Sequence, residues 1–97
     1  MKALKDILYK VSLVSTSGNM GGEVGSIAFD SRKVQVGTLF VAVKGTQVDG
    51  HDFITKAIES GADFIVCEKI PSKLVEGVTC VAVKDSADAL GVIASNF

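Results

Sequence analysis

The sequence has no tryptophan, a single proline, a single histidine and two cysteines, and each shortage closes off a class of chemistry. One histidine, His51, leaves no imidazole pair for a zinc centre, and Cys67 and Cys80 lie far from it without recognisable ligand spacing. Both cysteines are embedded in apolar runs, FIVCEK and VTCVAV. They read as buried thiols of an intracellular protein, since two cysteines alone hardly define a disulfide framework. Ten basic against eleven acidic side chains give a formal charge of -1, so there is no global electrostatic case for a nucleic-acid or membrane-surface partner. A local anion site remains open. No stretch approaches the roughly 20 apolar residues of a transmembrane helix, and the start MKALKDILYKVSL, interrupted by Asp6 and Lys10, reads as mature sequence and not as a signal peptide. Neither a phosphate-cradling G-x-x-x-x-G-K-[ST] nor a G-x-G-x-x-G after a strand is present, and Gly18, Gly21, Gly22 and Gly25 are spaced as loop glycines. The chain is not expected to hydrolyse or transfer phosphate alone.

What is present suits one small domain. A length of 97 residues, 47% of them hydrophobic, supports a modest core burying roughly 60–65% of the unfolded surface. Leu4, Ile7, Leu8 and Val11 share one helical face and predict a helix over residues 3–11. The polar, glycine-rich segment 15–25 reads as loop with room for a short edge strand. Strands are expected at 24–29, 38–43, 62–68 and 78–83, with Gly37 placed for positive φ in the turn between the first two. A helix over 52–60 would be capped by Asp52 and stopped by Gly61, with Ile54, Ala57 and Ile58 facing inward. A last helix, capped by Asp85 or Ser86, would bury Leu90, Ile93, Ala94 and Phe97. The whole predicts an α/β fold: a small layered domain with a mixed sheet of about four to five strands flanked by helices. Mixed direction is expected because the turn joining the first two strands is too short for a crossover helix. Ending at Phe97 with that stripe unfinished looks like a cut through a longer protein.

Two polar loops carry the chemistry. Asp30, Ser31 and Arg32 leave a strand end, where Asp and Ser can fix the turn while a serine hydroxyl or an exposed amide stays free for a ligand. Arg32 has two readings: internal pairing with Asp30 or Asp49, or contact with a ligand carboxylate or phosphate. In the loop from Lys44 to His51, Thr46 and Gln47 offer the mixed donors and acceptors that a pyrimidine edge requires, and Val48 can cover a ring face. Asp49 and Gly50 read as turn formers. His51 reads as a capping or hydrogen-bonding residue in preference to a catalytic base. The bland alternative for this loop is a simple helix-entry turn.

The blocks DSR at 30–32, VGTLFVAVKG at 36–45, DGHDFI at 49–54 and AIESGA at 57–62 together resemble the N-terminal domain of the Mur ligases of peptidoglycan synthesis, over essentially the whole chain. The TQVD loop at 46–49 and the closing segment 81–97 look more like MurE, which adds the third stem-peptide residue, than MurF, which adds the terminal dipeptide and is the alternative. A non-enzymatic oligomerising module is the distant alternative. The resemblance implies a single UDP-substrate-binding domain over 1–97, a fragment of a three-domain bacterial cytoplasmic ligase. It also implies Phe29 near the uracil, Ser31 on the nucleotide, and Thr46, Gln47 and Val48 around the base. Asp30, Arg32, Asp49, Gly50 and His51 would support them. Many relatives carry histidine where this chain has Thr46, so no imidazole contact carries over. The implied partners are a UDP-N-acetylmuramoyl-peptide and the central and C-terminal domains of the same chain, with no nucleic acid and no membrane. ATP and Mg belong to the parent enzyme, with no cofactor and no catalytic residue in this chain.

Overall fold

The computed structural model describes residues 1–73 and 75–97. Its elements run β1 (Lys2–Ala3), α1 (Leu4–Ile7), β2 (Leu13–Ser17), β3 (Glu23–Val24), β4 (Ser26–Ala28), β5 (Thr38–Val41), α2 (Ile54–Glu59), β6 (Phe64–Cys67), β7 (Thr79–Val83) and α3 (Ser86–Asn96). Short 3-10 turns occupy Ser31–Lys33 and Gly50–Phe53.

Five strands form one sheet in the order β2-β7-β6-β5-β4, while β1 and β3 make a separate two-stranded pair. Strands β4 to β7 are parallel neighbours, and β2 lies antiparallel on β7. The sheet is mixed, as expected, but the reversed strand is a different one. The short connection between β4 and β5 does not reverse the chain: Ser26 pairs with Thr38 and Ala28 with Phe40 in parallel register. Residues 29–37 complete that crossover with a single 3-10 turn in place of a helix. The antiparallel member is β2, drawn largely from the polar segment expected to be loop. Leu13 to Thr16 are all exposed, so this edge strand has no buried face and shows no apolar alternation from which to read it.

Every residue of β5, β6 and β7 is buried, which requires cover on both faces of the sheet. Side chains alternate between two cores accordingly. Leu39, Val41, Phe64, Val66, Val81 and Val83 pack beneath α1 and α3 with Leu4, Ile7, Ala89 and Ile93. Phe40, Ile65, Cys67 and Cys80 face the other way, under Ile54 and Ala57 of α2. Both cysteines are buried free thiols. Burial pushes the Cys67 thiol up to about 12, helped by the neighbouring Cys80, and raises Cys80 as well.

The helices depart from their expected limits for local reasons. α1 spans only Leu4–Ile7, because the backbone before it pairs with β3, Leu4 N–H donates to Gly22 O (3.0 Å), and Lys10 turns away at φ 66°. Asp52 does not cap α2. Asp49 instead accepts the His51 amide and starts the 3-10 turn that runs into the helix, whose own cap position, Phe53, makes no side-chain hydrogen bond. Gly61 stops α2 at φ 113° and Gly37 turns at φ 85°, both as the sequence suggested. In α3 Asp85 is the cap, accepting the Asp88 amide, and the buried face is Ser86, Ala89 and Ile93. Ala94 and Phe97 are exposed, contrary to the expected stripe. The rotation is fixed by Asn96, whose Nδ2 donates to the carbonyls of Ile7 (2.9 Å) and Tyr9 (2.7 Å).

Candidate functional site

In an open parallel sheet ligands bind beyond the carboxyl ends of the strands, where loops diverge. Both polar loops of this chain emerge there. Residues 29–33 follow β4, residues 44–49 follow β5, Glu68 follows β6, and Lys84 to Ser86 follow β7.

The two loops are built on the same device. Asp30 Oδ1 accepts the Arg32 amide (2.9 Å), and Asp49 Oδ1 accepts the His51 amide (3.0 Å). Each aspartate is extended and opens a 3-10 turn. Arg32 also clasps Asp30 with its side chain, Nε to Oδ1 (3.1 Å) and Nη2 to Oδ2 (2.7 Å). Of its two readings, internal pairing with Asp30 is realised. The guanidinium first, and the Arg32 amide second, lower the Asp30 carboxyl to about 2.

The 44–49 segment is a hairpin-like excursion. Lys44 and Asp49 bridge in antiparallel fashion, Gly45 N–H donates to Val48 O (3.1 Å), and Gly50 N–H to Val43 O (2.8 Å). A Cβ on Gly50 would stand 2.7 Å from Val43 N and 2.9 Å from Val43 O, so the base of the excursion closes only on glycine.

A cleft of about 530 Å³ opens between the two loops, lined by Phe29, Asp30, Ser31, Arg32, Phe40, Val43, Gly45, Val48, Gly50, Phe53 and Lys56. Phe29 and Val48 are 65% and 63% exposed, large apolar side chains left in solvent at the rims of one concavity. Ser31 is buried at its floor. Among the described residues no hydrogen bond to the Ser31 hydroxyl is formed, which leaves it available to a guest. Thr46 and Gln47 are exposed at the hairpin tip and do not line the cleft. Phe53 and Lys56 were not singled out by sequence. Their spacing of three, which makes them neighbours on the surface of a helical segment, is the signal that would have marked them.

Asp49 and His51 border a second concavity of about 470 Å³ on the other side of the hairpin, with Lys44, Glu68 and Lys69. His51 is held structurally, as the sequence suggested: its Nδ1 meets Asp49 Oδ1 (2.7 Å), and its Nε2 accepts the Glu68 amide (2.9 Å). The Glu68 amide can only donate, so Nε2 carries the lone pair and Nδ1 the proton. The His51 amide and then its ring lower Asp49, and the Ser86 amide and then its hydroxyl lower Glu68. Among the described residues no group of three His, Cys, Asp or Glu could hold a metal ion, and no helix is long and apolar enough to cross a membrane.

Fold and cleft together define a small α/β module with a concavity at the carboxyl end of its parallel strands. The chain belongs to the Mur ligase family: residues 23–97 match the family description "Mur ligase family, catalytic domain". It is 52% identical over 95 residues to a UDP-N-acetylmuramoyl-L-alanyl-D-glutamate--2,6-diaminopimelate ligase of Cytophaga hutchinsonii, covering 97% of this chain and 20% of that protein. The ligase of the same name from Bacteroides fragilis is 47% identical over 94 residues, covering 97% and 19%. The chain thus spans about a fifth of the length of these relatives. Among solved structures, a MurF from Acinetobacter baumannii superposes with a TM-score of 0.78 over 98% of this chain and 20% of that one. At 20% identity, this likeness speaks to the fold. The MurF of Thermotoga maritima in complex with ADP is 39% identical, with a TM-score of 0.59, over 71% of this chain and 16% of that one.

Proposed function

We propose that residues 1–97 are the N-terminal, UDP-substrate-binding domain of a MurE-type ligase. It holds the uridine diphosphate end of UDP-N-acetylmuramoyl-L-alanyl-D-glutamate while other domains of the same bacterial cytoplasmic protein add a diamino acid. The observation that carries this reading is the cleft lined by the exposed Phe29 of one loop and the exposed Val48 of the other. A flat heterocycle between them would cover both side chains, with the Ser31 hydroxyl as a polar contact on the floor. Thr46 and Gln47, outside the cleft lining at the hairpin tip, would meet the base edge only if the hairpin bends toward the guest, and Lys56 supplies a cation at the margin for a phosphate. Asp30 and Arg32 shape the first loop, and Asp49, Gly50 and His51 the second. The names of the relatives favour 2,6-diaminopimelate as the added amino acid.

The resemblance implies ATP and Mg in the parent enzyme, but the residues of this chain fit neither. It has no phosphate-cradling glycine loop and, among the described residues, no group of three His, Cys, Asp or Glu that could hold a metal ion. No bond-making step is assigned to it. Its contribution is to grip an invariant handle, so that binding energy far from the reacting carboxylate orients that carboxylate in the neighbouring domains. The 39% identity to a MurF keeps recognition of the tripeptide substrate as a second reading.

The test is an amide NMR titration of the 97-residue chain with UDP-N-acetylmuramoyl-L-alanyl-D-glutamate, with ATP as control. Saturable shifts at Phe29, Ser31 and residues 46–48 without an ATP response are expected. A folded chain that shows no shifts up to millimolar ligand would overturn the reading.

A further inference from the structure

The hairpin that carries Val48 is held from behind by a closed ring of hydrogen bonds. Lys44 N–H donates to Ser86 Oγ (2.9 Å), and the Ser86 hydroxyl donates to Glu68 Oε2 (2.8 Å). Glu68 N–H donates to His51 Nε2 (2.9 Å), and His51 Nδ1–H donates to Asp49 Oδ1 (2.7 Å). Asp49 and Lys44 are bridge partners, which closes the circuit. Both legs of the excursion are thereby tied to one residue, Glu68, one leg through its side chain and the other through its backbone. Ser86 is fully buried, so a broken link there leaves polar groups that water cannot readily reach.

The two faces of the hairpin divide the work. Val43, Gly45, Val48 and Gly50 line the cleft assigned to the nucleotide, whereas Lys44, Asp49 and His51 face the second concavity. We propose that Glu68, Ser86 and His51 are positioning residues for this hairpin, and that the neutral imidazole of His51 sets how firmly Val48 is presented to the nucleotide. The affinity half of the proposal rests on the function proposed above; the positioning half does not.

The imidazole is the sensitive link, because its two nitrogens have opposite duties. A proton added at Nε2 would set one N–H against another and remove the bond to Glu68, while the Nδ1–H contact to Asp49 survives. Protonation therefore frees one leg without unmaking its turn. The charged groups around the ring are Asp49 and Lys44 of the hairpin and Glu68 and Lys69 beyond β6. α2 contributes the apolar Ile54, and α3 the uncharged Ser86.

The test follows the ligand-free chain by NMR from about pH 8 to about pH 5, the range in which imidazoles titrate. Amides of Gly45 and Val48 are expected to shift with the same midpoint as the His51 ring, and His51→Gln should abolish that shift. UDP affinity, measured on the same samples, should fall about threefold to tenfold across the range as the competent hairpin becomes less populated. At the alkaline end Glu68→Ala should weaken UDP binding by a similar factor, whereas Glu68→Gln, which keeps an acceptor for Ser86, should restore most of it. Hairpin amides that stay still while His51 titrates would overturn the positioning role. Affinity that stays constant while the hairpin moves would overturn its link to binding. A wild-type chain that binds no UDP at any pH, with hairpin amides still tracking His51, would bring down the nucleotide reading and the affinity half together, with the positioning half upheld.

Discussion

Glu68 Oε2 accepts both the amide (2.9 Å) and the hydroxyl (2.8 Å) of Ser86, eighteen residues further along the chain. The bond joins the end of β6 to the first turn of α3, and through Lys44 to the hairpin beyond β5. Three loops that leave three different strands are thus registered against one another by a single carboxylate.

Acid should loosen these loops. Asp30 is lowered to about 2 by Arg32, and Asp49 and Glu68 are lowered by His51 and Ser86. A carboxyl held below its unfolded value of about 4 adds stability that is fully present above that value and is lost as pH falls through the folded one. Denaturation midpoints measured from about pH 5 down to about pH 2 should therefore decline. Asp30→Asn and Glu68→Gln should each start lower and decline less; equal slopes in wild type and variants would contradict the assigned hydrogen bonds.

The rotation of α3 can be read from stability. Ile93→Ala should cost about 2–5 kcal/mol in urea unfolding, because Ile93 has no exposed surface and its loss leaves a cavity beneath the helix. Phe97→Ala should stay within about 0.5 kcal/mol, as expected for an exposed position. A loss at Phe97 as large as that at Ile93 would mean that the helix buries Phe97 as first expected from sequence.

Phe29→Ala and Val48→Ser should separate binding from folding. Both side chains are more than half exposed, so thermal midpoints are expected to change little. UDP affinity should drop roughly tenfold for each, about 1.4 kcal/mol, if each covers one side of the base. Calorimetric titration decides it, and unchanged affinity in both variants would remove the cleft from consideration.

The thiols should be inert in the native chain. Cys67 is pushed up to about 12 and Cys80 is also raised, and both lie under α2. Labelling by a thiol-specific reagent at about pH 8 should wait for unfolding, since the thiolate is the nucleophile and neither site supports one. Rapid labelling of either cysteine without denaturant would place α2 in motion over the sheet.

The legible parts of the fold were those whose signal is local. β5, β6 and β7 announce themselves as short β-branched and aromatic runs, and Gly37 and Gly61 as positions where only glycine is comfortable. The antiparallel β2 was illegible because its residues are exposed on both sides, and the parallel pairing of β4 with β5 because nothing in residues 29–37 encodes strand direction. The capping role of Asp49 went unread for a related reason. Asp49 and Asp52 are chemically identical candidates three residues apart, and only the Lys44 bridge, which fixes the backbone at Asp49, selects between them.

The same division holds for the site. By itself the sequence determined which loops carry the polar chemistry, that Asp30 could fix its turn and that Asp49 and Gly50 form another, and which family the chain resembles, because each depends on residues close together along the chain. Only the tertiary structure decided that Phe29 and Val48 share one cleft with Phe53 and Lys56, and that Thr46 and Gln47 stand outside its lining at the tip of the hairpin. It alone turned His51 and Asp49 to the far side, where Glu68 and Ser86 hold them. Those relations arise from the order in which four parallel strands pack, and long-range pairing leaves no periodicity in the amino-acid sequence from which it could be read.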